Sequence, residues 1–244
     1  MVRQRLDREL AARGLARSRS HAQTMINSGS VSVDGVIMTR PAELVESTAQ
    51  ISAAADHYVS RAAHKLLGAL DDLRLSVSGR ALDAGSSTGG FTQVLLERGC
   101  SQVIAIDVGT DQLAPGLRRD PRVRLRERTN LRDLALEHVD RHPVDLVVAD
   151  VSFISLVMLI ERFSSVAAPT AQMLLMIKPQ FEVGREQLGK GGVVREPALH
   201  RQAIDQVVAE ARRCGWQLLA TAPSRVHGPA GNQEFFVLLA RQSV

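Results

Sequence analysis

The chain has 244 residues, 45% of them apolar and 23% charged, which is globular usage with length enough for one large core or two small ones and not the composition of a disordered segment. Its two cysteines, Cys100 and Cys214, are too few for cysteine-rich zinc sites, iron–sulfur clusters or a disulfide scaffold, and they fit a reducing cytoplasm. The best apolar stretch, Phe163–Ile177, is interrupted by Pro169, and Met1–Leu10 has no apolar core, so neither a membrane span nor a secretory signal is expected. The net charge of +4 favours an anionic partner such as nucleic acid. Of 30 basic residues only three are lysine, Lys65, Lys178 and Lys190. Arginine evidently serves wherever plain charge suffices, so each lysine is informative, because a buried lysine can lose its proton and arginine cannot.

In chain order, Leu6 and Leu10 share one helical face and Gly14 stops that helix. Ser18 is placed to cap a second helix reaching about Ser28. Apolar residues alternate in Val31–Ile37 around Asp34-Gly35, a preferred pair for a tight hairpin. Arg3, Arg5, Arg8, Arg13, Arg17 and Arg19 crowd the two helices, and they suit either a solvated helix face or a surface facing phosphates.

The phrases Arg5-Leu-Asp, Gly14-Leu-Ala-Arg-Ser-Arg, Gly29-Ser-Val-Ser-Val-Asp-Gly and Arg40-Pro resemble the ribosomal-protein-S-four-type RNA-binding domain over roughly residues 3–50. That resemblance implies RNA contacts at Arg3, Arg5, Arg8, Arg17 and Arg19, with Arg61 a further candidate. The expected organisation is a small α+β domain at 1–56, a linker at 57–64 and a large domain at 65–244.

From Arg61 helices alternate with apolar strands, which argues for a parallel α/β sheet of the Rossmann kind. Strands are predicted at 81–83, 103–107, 123–125, 145–150, 173–178, 216–221 and 234–239, and helices at 61–74, 90–98, 111–119, 155–166 and 198–213. The fold class is therefore α/β, a Rossmann-like sheet of seven strands with a small α+β domain before it.

Between the first of these strands and its helix lies Asp83-Ala-Gly-Ser-Ser-Thr-Gly-Gly-Phe-Thr, which lacks the dinucleotide spacing Gly-x-Gly-x-x-Gly. Gly85 lets the backbone approach a ligand, Gly89 and Gly90 allow a tight helix entry, and Asp83 adds a carboxylate suited to a cationic ligand. Asp107 ends the next strand, where such sheets carry an acid for ribose hydroxyls. Together they look like an S-adenosylmethionine site comprising Asp83, Gly85, Ser87, Thr88, Gly89, Gly90, Phe91, Asp107, Asn130 and Asp150, against the alternative of a structural glycine turn.

Asp150 and Lys178 close later strands, so they are expected to pair with each other or with a substrate, against the alternative of a structural salt bridge. With Lys65 and Glu234 they resemble the Lys–Asp–Lys–Glu tetrad of FtsJ-like ribose 2′-O-methyltransferases. The whole chain is similar to the TlyA-type 16S/23S rRNA (cytidine-2′-O)-methyltransferase family, historically called haemolysin A. Tyr58-Val-Ser-Arg, Asp150-Val-Ser-Phe-Ile-Ser-Leu, Lys178-Pro-Gln-Phe-Glu-Val-Gly, Gly189-Lys-Gly-Gly-Val-Val and Gly231-Asn-Gln-Glu-Phe carry the likeness. Two departures stand out: Arg61-Ala-Ala-His-Lys lacks the family's usual glycines, and Thr110-Asp111 replaces a common Tyr-Gly. The resemblance implies Lys178 as the proton acceptor, Lys65 as a positive field for the developing alkoxide, and Asp150 and Glu234 as orienting groups. It further implies ribosomal RNA or ribosomal subunits as partner, S-adenosylmethionine as cofactor, no metal and no membrane, a cytoplasmic location, and a monomer favoured over an oligomer.

Rival chemistries fit less well. Cytosine C5 methylation uses a cysteine nucleophile, and Cys100 and Cys214 read as packed residues at helix ends. Amino-group methyltransferases carry Asn/Asp-Pro-Pro-aromatic where this chain has Asp150-Val-Ser-Phe. A membrane-acting haemolysin or a non-catalytic ribosome-assembly factor are the remaining alternatives. Phe91 and Phe153 read as core rather than base-stacking rings, the loop 182–192 as a flexible substrate loop, and the arginines from Arg118 to Arg132 as divided between solvent and RNA.

Overall fold

The computed structural model describes residues 3–16, 18–27, 29–53 and 57–242. The chain divides into two compact units, Met1–Tyr58 and Val59–Val244.

The first unit contains β1 (Arg3–Arg5), α1 (Leu6–Ala12), α2 (Arg19–Asn27), β2 (Val31–Val33), β3 (Val36–Met38), β4 (Leu44–Glu46) and β5 (Ile51–Ala53). Strands β1 and β4 pair antiparallel, and β3, β2 and β5 form a second small sheet in that order. Leu6, Leu10, Met25, Ile26 and Val31 fill its core, and of these Leu6, Leu10 and Val31 are residues that the helical and alternating patterns single out. Gly14 takes a left-handed φ of 70° after α1, Ser18 Oγ accepts from the His21 amide at the start of α2, and Asp34 and Gly35 both have positive φ in the hairpin turn. Strands β1, β4 and β5 are too short to show a period in sequence.

The second unit contains α3 (Ala62–Asp72), β6 (Gly79–Ala84), α4 (Gly90–Glu97), β7 (Cys100–Ile106), α5 (Pro115–Arg118), β8 (Val123–Arg126), β9 (Val144–Ala149), α6 (Ile160–Val166), β10 (Ala167–Ile177), α7 (Pro179–Glu182), α8 (Pro197–Arg213), β11 (Trp216–Pro223) and β12 (Phe235–Arg241). They build one seven-stranded sheet in the order β11-β12-β10-β9-β6-β7-β8. Strands β6–β10 run parallel, and β12 is antiparallel to both β10 and β11. All seven predicted strands are present. Continuous apolar runs such as Leu146–Ala149 and Met173–Ile177 are buried on both faces, as a sheet covered by helices requires.

Three expectations are corrected. Residues 62–64, read as linker, already belong to α3. The helix expected over 111–119 shrinks to Pro115–Arg118, because Asp111 is left-handed at φ 53° and cannot continue a helix. The helix expected over 155–166 is divided into a 3-10 turn, Leu156–Met158, which Ser155 caps by accepting from the Val157 amide, and α6, with Leu159 at φ −110° between them.

Two features of this topology place the site. Chain order reverses between β6 and β9, which opens a crevice beyond their carboxyl ends. Antiparallel β12 begins where parallel β10 ends, with Ile177 opposite Phe235, so Lys178 and Glu234 are brought to the same edge.

Candidate active site

The four residues of the expected tetrad resolve into two ion pairs. Lys65, on α3, donates from Nζ to Glu234 Oε2 at 2.5 Å, and both side chains are at least 95% buried. Lys178, directly after β10, lies 2.6 Å from Asp150 Oδ1, directly after β9. Gly228 packs so close to Glu234 that a Cβ there would lie 2.8 Å from Oε1. Lys65, Asp150 and Lys178 line one cavity of about 230 Å³, together with Arg61, Ser86, Ser87, Thr88 and Gly90.

Lys178 has a second partner that the sequence did not point to. Its Nζ donates to Ser152 Oγ at 2.8 Å. Ser152 sits in the loop after β9, and this loop is clamped from α7: Glu182 accepts from Ser155 Oγ and from the Leu156 amide, and Phe153 packs on Phe181 with ring centroids 5.2 Å apart. Burial raises the Glu182 carboxyl above its ordinary pKa, opposed by these two hydrogen bonds. Ser152 and Glu182 fall inside the phrases that carry the family likeness, but only the side-chain contacts reveal what each one does.

A larger cavity of about 550 Å³ adjoins the first and shares Gly85, Ser87, Asp150 and Ser152 with it. Asp107, Val108, Asn130, Leu131, Val151 and Phe153 complete much of its wall. Its size is in the usual range for a small-molecule site. Asp107 accepts the Ser87 amide at 2.8 Å and the Gly109 amide at 2.7 Å, so it shapes the glycine loop as well as facing the cavity. Gly85 has φ 86°, and a Cβ there would meet the Asp150 carbonyl at 2.7 Å. Gly89 is left-handed at φ 97° immediately before α4. Asn130 caps a 3-10 turn by accepting from the Arg132 amide.

Other site candidates take different places. Asp83 is wholly buried and lines neither cavity; its Oδ2 accepts from Thr92 Oγ1 at 2.6 Å. Burial above all, with smaller contributions from Asp150 and Asp107, raises its carboxyl to about 7 against the opposing Thr92 hydrogen bonds. Phe91 is buried and stacks on Phe236 while reaching the smaller cavity. Phe153 overturns its core reading: it is 89% exposed, at φ 64°.

The arginines of the first unit are partly committed. Arg5 binds Asp7 through two nitrogens, at 3.1 and 2.9 Å, and Arg19 Nε lies 2.9 Å from the same carboxylate. Gln23 donates to it as well, and Asp7 is completely buried. Hydrogen bonding from Arg5 first, then from Gln23 and Arg19, holds the Asp7 carboxyl far below the usual carboxylate range. Both guanidiniums keep an exposed edge. Arg3 makes a longer exposed pair with Glu46, Arg8 is exposed, and Arg17 lies outside the described residues. Arg61 lines the small cavity rather than the first unit's surface. Among the later arginines, Arg118, Arg122 and Arg126 are paired with Glu127, Asp120 and Asp140.

Residues 58–241 match the FtsJ-like methyltransferase family, and residues 4–51 match the S4 domain. The chain belongs to the FtsJ-like methyltransferase family. This methyltransferase is 46% identical to the 16S/23S rRNA (cytidine-2'-O)-methyltransferase TlyA of Mycobacterium tuberculosis, over 99% of this chain and 91% of that protein. A solved structure carried under the name of a hemolysin, from Streptococcus thermophilus, superposes with TM-score 0.76 at 34% identity, covering 100% of this chain and 90% of that one. An S-adenosylmethionine dependent methyltransferase from Mesorhizobium loti shares the fold alone, with TM-score 0.53 at 14% identity over 73% of this chain and 98% of that one.

The methyltransferase's departures from its relatives' usual motifs have a structural reading. At Asp111, φ is 53°, a conformation that glycine adopts freely and aspartate tolerates. Here the Asp111 amide donates to Glu127 and its carboxylate lies 3.3 Å from Arg118. Ala62 and Ala63 open α3, where alanine favours the helix more than glycine does.

The family implies S-adenosylmethionine, and the cavity walls fit it. Ser86 Oγ, in the wall of the smaller cavity, is a buried polar atom without a hydrogen-bond partner, the kind of capacity a bound polar group would use, whereas the equally partnerless Asp83 Oδ1 lies outside both cavities. Among the described residues no cluster of His, Cys, Asp or Glu could hold a metal ion, and no helix is long and apolar enough to cross a membrane.

Proposed function

We propose that this enzyme methylates a ribose 2′-hydroxyl of ribosomal RNA, a cytidine of 16S or 23S rRNA or both, using S-adenosylmethionine held in the larger cavity. The observation that carries the reading is the pair of buried lysines, each matched to its own carboxylate, beside a cavity continuous with the cofactor-sized one.

The cofactor supplies an activated methyl group on a sulfonium. The chain's own task is to orient a weakly acidic hydroxyl and take its proton as the new bond forms. Lys178 faces the cavity with Asp150 and Ser152 on its amine, and it is the proton acceptor in this reading. Lys65, held by Glu234, provides fixed positive charge for the developing alkoxide. Asp107 and Asn130 would hold ribose and adenine, with Gly85, Ser87, Thr88, Gly89 and Gly90 shaping the loop around the remainder of the cofactor. Asp83 would act on it from beneath that loop. Arg5, Arg19 and Arg8, with Arg3 and Arg17 alongside, would meet RNA phosphates.

The test is transfer of tritiated methyl groups to isolated 30S subunits, 50S subunits and naked rRNA, followed by mapping of the modified nucleotide. Label on a base, or none on any RNA, would refute the reading. Since one relative carries a hemolysin name, purified protein and its Lys178→Ala variant should also be compared on red cells. Lysis by both would favour membrane action independent of this site.

A further inference from the structure

We infer that Ser152 is a positioning residue for methyl transfer, fixing the direction in which the Lys178 amine meets the substrate hydroxyl; this rests on the reading of Lys178 as proton acceptor.

An ammonium has three N–H groups, and two directions around Lys178 Nζ are occupied, by Asp150 Oδ1 at 2.6 Å and Ser152 Oγ at 2.8 Å. Lys178, Asp150 and Ser152 all line the small cavity, so the remaining direction is available to a group bound there. After loss of one proton the amine still has two N–H groups, enough for both partners. Its lone pair then takes the third direction and can accept the 2′-hydroxyl proton, while the hydroxyl oxygen forms its bond to the methyl carbon and the sulfonium leaves as the neutral thioether. Asp150 alone cannot enforce this, because rotation about Cε–Nζ would keep one bond and swing the lone pair away. Two anchors at fixed positions remove that rotation.

Ser152 can serve as an anchor because its loop is itself tethered. Although Ser152 is solvent-exposed, Asp150 two residues earlier is bonded from its amide to the Ala84 carbonyl, and Ser155 three residues later is held by Glu182. The loop also borders the cofactor cavity, so the hydroxyl that aims the amine lies on the wall shared by the two chambers. The lysine's stem is fixed from the other side, since Lys178 leaves β10 at the residue pair Ile177–Phe235 and precedes Pro179 of α7.

The experiment compares Ser152→Ala, Ser152→Thr and Lys178→Arg in the full-length enzyme, measuring kcat, KM for ribosomal subunits and calorimetric affinity for S-adenosylhomocysteine. Ser152→Ala is expected to lower kcat about 10-fold or more with KM and cofactor affinity within about two-fold, and Ser152→Thr, which keeps the hydroxyl, to recover most of the loss. Unchanged kcat in Ser152→Ala, a defect confined to KM or cofactor affinity, or a Ser152→Thr enzyme as slow as the alanine variant would each overturn the inference. Lys178→Arg separates the two claims. If it retains turnover, the proton-acceptor reading falls and the inference with it; if it is inactive while Ser152→Ala is normal, only the role of Ser152 falls.

Discussion

Lys65 and Glu234 are 169 positions apart in sequence and meet at 2.5 Å with both side chains almost fully buried. A buried pair of this kind is expensive to break from one side, because the surviving charge is left without its partner. Glu234→Ala should therefore lose about 3–5 kcal/mol of stability, read from denaturant unfolding, along with turnover. A loss below about 1 kcal/mol would mean that water reaches Lys65 once the carboxylate is gone.

Lys178→Arg keeps the charge and removes the ability to accept a proton near neutral pH. Turnover should fall by about 10²–10⁴, with cofactor affinity retained. Lys65→Arg should be milder if Lys65 acts only through its field. Single-turnover methyl transfer measures both without interference from product release.

Asp83 gives a dependence of stability on pH. Its folded carboxyl titrates at about 7, above the ordinary aspartate value of about 3.9. A raised folded value means the stabilising contribution is complete below about pH 4 and is lost as pH rises through about 7. Thermal unfolding should thus show the wild type declining over that window relative to Asp83→Asn, whose amide cannot ionise. Parallel curves for the two proteins would place the ionisation elsewhere.

Asp7 acts in the opposite sense. Its folded carboxyl is held far below the ordinary range by Arg5, Gln23 and Arg19, so its contribution is present above about pH 4 and disappears as pH falls below that. Asp7→Asn should flatten the acid side of the stability curve. Arg5→Ala and Arg19→Ala should each weaken binding to ribosomal subunits and reduce the salt dependence by about one phosphate contact. Salt-independent binding would exclude these arginines from the RNA surface.

Phe153 holds a left-handed φ of 64° while 89% exposed, so it contributes little to the core. Phe153→Ala should change stability by no more than about 0.5 kcal/mol. If the ring meets the RNA at the rim of the larger cavity, the same variant should lower kcat/KM for ribosomal subunits while leaving cofactor affinity intact. A variant normal in both would assign the ring no part in catalysis.

Much of this protein was determined by sequence alone, through patterns of short range. Leu6 and Leu10 on one helical face, Asp34-Gly35 in the hairpin and the apolar runs ending at Asp107, Asp150 and Lys178 each express a period or a turn chemistry within a few residues. The glycine loop and the strand ends marked the crevice, because an α/β sheet places ligands beyond its carboxyl edges. Partnership was decided only by the tertiary structure. The meeting of Lys178 with Asp150 was foreshadowed by their places at strand ends, but nothing local says that Lys65 belongs to Glu234, that Asp7 secures Arg5 and Arg19, or that Asp83 lies under the loop instead of in the cavity. The roles of Ser152 and Glu182, although both lie in recognisable phrases, went unread for the same reason: they are set by hydrogen bonds between the loop after β9 and the segment after β10, and such bonds exist only once parallel strands distant in sequence have been laid side by side.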